Sequence, residues 1–132
     1  MCTALRRENE RGQALVEFAL VLPLFALLLF AIVQLGIAFN HYLALTDAVR
    51  AGARTAAVSR FAADPRAATE AAVRASGVNL DQQELAVTVS APAGWVRGSD
   101  VTVSATYPYD INLLGIVVKS GRLSSSTTER ID

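Results

Sequence analysis

The sequence has few of the residues from which most metal and catalytic sites are built. It contains one cysteine, Cys2, and one histidine, His41. A single cysteine cannot form a disulfide within the chain or supply the repeated thiolates of a zinc site. The sequence also has no glycine-rich phosphate loop and no Ser, His and carboxylate spacing typical of a nucleophilic enzyme. We therefore expect no cofactor, no metal, no small-molecule substrate and no enzymatic activity.

The sequence also has no excess of positive or negative charge. The 12 Lys and Arg residues equal the 12 Asp and Glu residues, so the formal net charge is zero. No long-range field then attracts nucleic acid, and we expect no nucleic-acid partner. The 132 residues are 52% hydrophobic, with the excess in the first third of the chain. Outside that third there is room for one small domain.

One long uncharged run dominates the N-terminal third. From Phe18 to Phe39 no residue is charged, and Pro23, Gln34 and Gly36 alone interrupt its apolar character. A helix of this length spans roughly 30 Å, which is enough to cross a bilayer. The arginines on its two sides balance, so the positive-inside rule does not fix the orientation. The segment before the run is too short to fold, whereas the segment after it is long enough to form a domain. We therefore expect a cytoplasmic N-terminus, a single pass and an extracytoplasmic C-terminal domain.

Glu17 lies at the start of this run, where a carboxylate without a partner is costly. Gly12 lies five residues before it and Phe18 directly after it. This arrangement resembles a prepilin leader, in which a membrane peptidase cuts after the glycine. The resemblance implies a leader over residues 1–12, processing between Gly12 and Gln13, and subunit interaction through Glu17 and Phe18. The alternatives are an uncleaved anchor and a Glu17 carboxylate that lies at headgroup level.

A longer stretch resembles one family more closely. Glu-Arg-Gly-Gln-Ala-Leu-Val-Glu-Phe-Ala-Leu-Val-Leu-Pro over residues 10–23, followed by Asp-Ala-Val-Arg-Ala-Gly-Ala-Arg over 47–54, is similar to TadE-like proteins of tight-adherence (Flp) pilus systems. The resemblance covers roughly residues 10–60. It implies a minor pilin or pseudopilin in the bacterial inner membrane, with a prepilin peptidase, other pilins and the Tad assembly machinery as partners.

The helical pattern continues beyond the membrane segment, 13–39, as an extension over 40–60. Mostly small residues recur every fourth position and form a surface that allows close packing. They are Gly36, Asn40, Ala44, Ala48, Gly52 and Ala56. This surface suits either packing between subunits in a filament or packing against a sheet of the same chain.

Residues 61–132 predict a small extracytoplasmic α+β domain. Asp64 and Pro65 form a helix-start signal and Gly77 a stop, so a second short helix is expected over 65–76. Alternating apolar residues predict about three antiparallel strands, at 84–91, 101–109 and 123–131. Trp95, in the loop between the first two strands, suits a cover over the sheet edge better than a ligand-stacking role.

The apolar run Ile111–Val118 has two interpretations. It fits a buried strand or helical turn, which we expect because a domain this small needs core residues. It also fits an exposed patch that contacts another subunit.

Together these features predict a minor pilin-like protein that takes part in pilus assembly. The alternative is a single-pass, membrane-anchored binding module or enzyme. Substitution of Glu17 separates the two, because only a pilin-like subunit needs that carboxylate for incorporation into a filament.

Overall fold

One long helix forms the N-terminal half of the protein. The computed structural model describes residues 2–132, and it describes side chains from Gly12 onward. The side chains of the predicted leader before Gly12 therefore lie outside the described part. Helix α1 runs Cys2–Val58 and ends in a 3-10 turn, Ser59–Phe61. Pro23 lies inside α1, where it removes one backbone donor without ending the helix. The predicted extension of the membrane helix beyond Phe39 is confirmed.

The second helix, α2, runs Pro65–Ser76, with the bounds that its sequence signals predict. Oδ1 of Asp64 accepts a hydrogen bond from the Ala67 amide at 3.0 Å and caps the first turn. Pro65 occupies the first turn, where its missing donor costs nothing, and the Gly77 amide donates to the Val73 carbonyl at the other end.

Three antiparallel strands follow, as predicted, and their order in the sheet is β1-β2-β3. They are β1 (Ala86–Ser90), β2 (Asp100–Leu113) and β3 (Ile116–Arg130). Strands β2 and β3 are longer than their sequence patterns predict, because their pairing continues to a tight turn at Leu114 and Gly115. Strand β1 pairs only with residues 102–106 of β2, so the rest of the β2–β3 hairpin extends past it as a two-stranded ribbon.

The core lies between the sheet, α2 and the C-terminal half of α1. Alternate residues of β2 point into it and are buried, which confirms the predicted apolar face. The opposite face of the sheet carries hydroxyl side chains, with Thr102 bonded to Thr128 and Ser104 to Ser126. The buried core residues are Leu45, Ala48, Val49, Ala53, Ala56, Val73, Leu80, Leu85, Val89, Val101, Val103, Ala105, Tyr107 and Ile131.

Strand β2 runs back along α1 toward the N-terminal end of the helix. A β-carbon built on Gly52 would lie 3.5 Å from Cγ1 of Val103. Further along the strand, Tyr107 makes an edge-to-face ring contact with His41 at 5.3 Å between centroids. The hairpin turn therefore lies beyond the level of His41, beside the apolar part of α1.

The expected burial of the run Ile111–Val118 is wrong. This run forms the end of the β2–β3 ribbon, and its residues from Leu114 to Val118 are exposed. The strands continue past β1 and past the helix-packed part of the sheet, so neither face of the ribbon end is covered within the part of the chain that the structure describes. The second interpretation, an exposed apolar patch, agrees with the structure.

Candidate functional site

The four residues of the predicted processing and interaction site lie on one exposed stretch of α1. Gly12, Gln13, Glu17 and Phe18 are all exposed. A β-carbon built on Gly12 would have no neighbour within 4 Å. The stretch is a regular helix that projects away from the folded domain. The site is therefore accessible to other molecules along its whole length.

Gln13 and Glu17 lie one turn apart and contact each other. Nε2 of Gln13 donates a hydrogen bond to Oε1 of Glu17 at 3.2 Å. No side chain from Gly12 onward forms an ion pair with Glu17; the two ion pairs in this part of the chain join Arg50 to Asp47 and Arg130 to Asp100. An amide donor satisfies part of the carboxylate but leaves its charge unbalanced, which is expensive in an apolar medium.

The apolar part of α1 has the length and composition of a membrane-spanning helix. Within Gly12–Phe61 the run Phe18–Phe39 carries no charged residue, and none of the most apolar stretch is buried inside the chain. Large side chains at consecutive positions, such as Leu28, Leu29 and Phe30, are exposed, and consecutive residues of a helix point in directions about 100° apart. A helix that is apolar on all sides and uncovered by its own protein fits a lipid environment. One N-terminal helix therefore anchors the protein as a single pass.

The small-residue surface of α1 divides into two parts. Ala48, Gly52 and Ala56 face the protein's own core, and Ala44 packs partly against it. Val73 of α2 lies against Gly52, which leaves no room for a side chain there. Gly36 is exposed, with nothing within 4 Å of a built β-carbon. The C-terminal part of this surface is therefore occupied by the chain itself, and only the part around Gly36 is open.

A shallow groove lies between α1 and the β2–β3 hairpin, at the level where the uncharged run of α1 ends. The sequence did not predict this groove. Its wall is mostly apolar and aromatic, with one cation. The lining residues are Leu35, Ala38, Phe39, Tyr42, Tyr109, Ile111, Lys119 and Leu123. The alternation of apolar residues in β2 continues through Tyr109 and Ile111, which is the one sequence signal that could have located the groove.

Other candidate features add no chemistry to this site. Trp95 is half-buried and packs against the core, as expected of a cover over the sheet. No cluster of three or more His, Cys, Asp or Glu side chains with metal-binding geometry occurs in the described part of the chain.

Comparison with known proteins bears on the same stretch of α1. Residues 12–54 match the family model described as TadE-like protein. Residues 12–54 are thus similar to TadE-like proteins. This match confirms the predicted resemblance. It covers about a third of the chain, begins at Gly12 and ends within α1, so α2 and the sheet lie outside it. No curated protein and no solved structure matches the chain significantly.

Proposed function

We propose that this protein is a minor pilin-like subunit that takes part in assembly of a tight-adherence (Flp) pilus or a related secretion apparatus. The observation that carries the proposal is the placement of Glu17. It is an exposed carboxylate at the membrane end of an otherwise apolar helix, five residues after Gly12, within the TadE-like region. An anchor alone has no need of a charge at this position, and it would be more stable in the membrane without one.

The proposed mechanism gives that charge a partner. Cleavage after Gly12 by a prepilin peptidase creates a terminal amine on Gln13. The amine of one subunit then approaches Glu17 of a neighbour, and the pairing of opposite charges in an apolar environment fixes the axial register between the two helices. Phe18, exposed beside Glu17, contributes apolar contact around the pair. The protein performs no catalysis in this mechanism.

Location follows from the same proposal. The N-terminus lies in the cytoplasm, where the peptidase acts, and the domain formed by α2 and the sheet lies outside the inner membrane. The open surface around Gly36 and the exposed apolar side chains before it are available to other pilins. The core contacts of Ala48 and Gly52 keep the exported domain fixed to the end of the helix.

Processing is the first step to test. The protein is purified from native membranes of a wild-type strain and of a strain without its prepilin peptidase, and its intact mass and N-terminal sequence are determined. We expect a chain that begins at Gln13 in the wild type and retains residues 1–12 in the mutant. The same unprocessed N-terminus in both strains would contradict processing and favour a permanent anchor.

The role of the carboxylate needs a separate test. Glu17→Gln keeps the size and the hydrogen-bonding capacity of the side chain but removes its charge. Glu84→Gln is the matched control, because Glu84 is an exposed glutamate of the exported domain. We expect pilus assembly, counted by electron microscopy, to fail in Glu17→Gln and to persist in Glu84→Gln. Normal assembly by Glu17→Gln would favour a membrane-anchored binding module or enzyme.

A further inference from the structure

The end of the β2–β3 hairpin carries a compact group of exposed apolar side chains. The exposed fractions are 69% for Leu114, 70% for Ile116, 55% for Val117 and 61% for Val118. These residues are consecutive except for Gly115, so they form one patch. We call Leu114–Val118 the hairpin tip. An apolar patch of this kind on a small domain usually marks a contact with a partner or a membrane.

The backbone conformation of the turn does not favour leucine at residue 114. Leu114 and Gly115 both have positive φ angles, 53° and 89°, as a two-residue type I′ turn requires. Gly and Asn adopt this conformation readily, whereas a leucine does so at a cost. The Leu114 side chain makes no core contact that offsets the cost. A large apolar side chain is thus held at the point of the hairpin despite unfavourable backbone geometry.

The position of the tip relative to α1 points to lipid. Tyr107 contacts His41, and Ile111 shares the groove with Leu35 and Phe39. At about 3.3 Å per residue, the strand carries Leu113 roughly 7 Å beyond Ile111, still in the direction of the N-terminus. The tip therefore lies beside the exported end of the membrane-spanning segment, where the uncharged run ends at Phe39.

The residues just behind the tip suit the boundary between lipid and water. Tyr42 and Tyr109 line the groove, and tyrosines are enriched at this depth because they combine an apolar ring with a polar hydroxyl. Lys119 lines the same groove, and Arg122 follows three residues later on the opposite face of the ribbon. Both cations can reach anionic headgroups while their aliphatic stems stay against apolar surface.

Backbone hydrogen bonding limits how deep the tip can go. Among the described residues no strand pairs with either edge of the ribbon beyond the end of β1, and open edges are not tolerated in the hydrocarbon core. At the turn itself, the Gly115 amide donates to Oδ1 of Asn112 at 2.8 Å, which satisfies one donor internally. The arrangement fits an element that lies in the interface with its apolar side chains directed into the acyl chains.

We infer that the hairpin tip docks into the outer interface of the same bilayer that α1 spans. The exported domain then has two attachments to the membrane, the helix and the tip, which fix its tilt relative to the surface. This inference rests on the membrane-spanning helix and on the hairpin geometry. It does not depend on pilus assembly or on processing after Gly12.

Site-directed spin labelling of the full-length chain tests the inference. With Cys2→Ser as background, Val118→Cys places a label at the tip, and Val96→Cys is the matched control in the loop between β1 and β2. Both residues are valines with 61% exposure, so the substitutions are equally mild. Each protein is reconstituted singly into nanodiscs of phosphatidylcholine and phosphatidylglycerol. Collision rates with oxygen, which enters lipid, and with a water-soluble nickel chelate are then compared.

We expect the ratio of oxygen to nickel accessibility to be several-fold higher at residue 118 than at residue 96. Equal ratios would overturn the inference. Protection of residue 118 from both reagents in liposomes crowded with the protein, together with water-like accessibility in the single-copy nanodiscs, would also overturn it, because the occupant would then be a second copy of the chain. Failure of pilus assembly or of processing would leave this result unchanged.

Leu114→Asn separates docking from folding. Asparagine suits the positive φ angle at this position better than leucine does, so the hairpin should remain at least as stable. It removes the apolar side chain at the point of the tip. We expect the label at residue 118 to shift toward water in this variant, while thermal unfolding of the domain stays unchanged or moves to higher temperature. An unchanged depth in a folded Leu114→Asn protein would contradict the inference.

Discussion

Val73 of α2 packs directly onto the backbone of Gly52 in α1, so closely that any β-carbon at residue 52 would overlap the Cγ2 atom of Val73. Thr69 of α2 contributes its carbonyl oxygen to the same contact, 3.5 Å from the built atom. The two helices can therefore approach only because residue 52 has no side chain. The valine is fully buried in the core.

Gly52→Ala should destabilise the C-terminal domain. The added methyl must displace Val73 or push α2 away from α1, and overpacking of this kind typically costs about 1–3 kcal/mol. The gain in helix propensity, about 1 kcal/mol, offsets only part of that cost. Thermal unfolding of the full-length protein in detergent, followed by near-UV circular dichroism, measures the net effect.

Gly36→Ala is the control for that substitution. It is the same change in the same helix, but a β-carbon at residue 36 would have no neighbour within 4 Å. We expect no loss of stability in the domain. If Gly52→Ala and Gly36→Ala had the same effect, the contact between Val73 and Gly52 would not limit the packing of the helices.

Tyr107→Phe should weaken the connection between the sheet and the segment after α2. The Asp81 amide donates a hydrogen bond to the Tyr107 hydroxyl oxygen at 3.2 Å, and the tyrosine is almost fully buried. Loss of the hydroxyl leaves that amide without its partner, which costs on the order of 1 kcal/mol. Tyr109→Phe is the control, because the Tyr109 hydroxyl makes no hydrogen bond to the described residues. A loss of stability as large in Tyr109→Phe would assign the effect to the ring environment instead.

Much of this fold could be predicted from local signals. Asp64, Pro65 and Gly77 mark both ends of α2 because capping depends on residues adjacent in sequence. The inward residues of β2 follow from period-two alternation. The burial of the run Ile111–Val118 could not be predicted in this way. Alternation identifies a strand, but it does not show how far along the strand the packed helices extend. Gly115 within that run was the available sign of a turn.

The candidate site also combines features that depend on nearby residues with features that depend on distant ones. The placement of Gly12 and Glu17 on one continuous helix could be predicted from the sequence, whereas their roles in processing and subunit contact stay predictions. The groove beside Phe39 joins residues of α1 to residues of β2 and β3 that are about seventy positions away in sequence, on the order of a whole small domain. Its existence depends on the direction in which β2 runs along α1, and no local pattern specifies that direction.

Asp64→Ala should shorten or loosen α2 at its start. The side chain satisfies the Ala67 amide at 3.0 Å, and loss of an N-cap typically costs about 1 kcal/mol. Asp64→Asn is the matched control, because asparagine retains an oxygen acceptor at the same position. Hydrogen exchange of the Ala67 amide should quicken in the alanine variant and stay near the wild-type rate in the asparagine variant. Rapid exchange in both would indicate that the charge, and not the acceptor, stabilises the helix start.

Gly121→Ala should disturb the ribbon that leads to the hairpin tip. Gly121 pairs with Tyr109 on the neighbouring strand, and the Tyr109 ring packs over it. A β-carbon at residue 121 would lie 2.9 Å from Cε1 and 3.0 Å from the hydroxyl oxygen of that tyrosine. The backbone itself can accept alanine, since φ at Gly121 lies outside the left-handed region. The expected cost of about 1–2 kcal/mol comes from displacing the tyrosine ring. The same substitution made in a Tyr109→Ala background should therefore cost much less, and thermal unfolding of the four proteins gives the coupling between the two sites. An equal cost in both backgrounds would mean that Gly121 is required for a reason other than its contact with the Tyr109 ring.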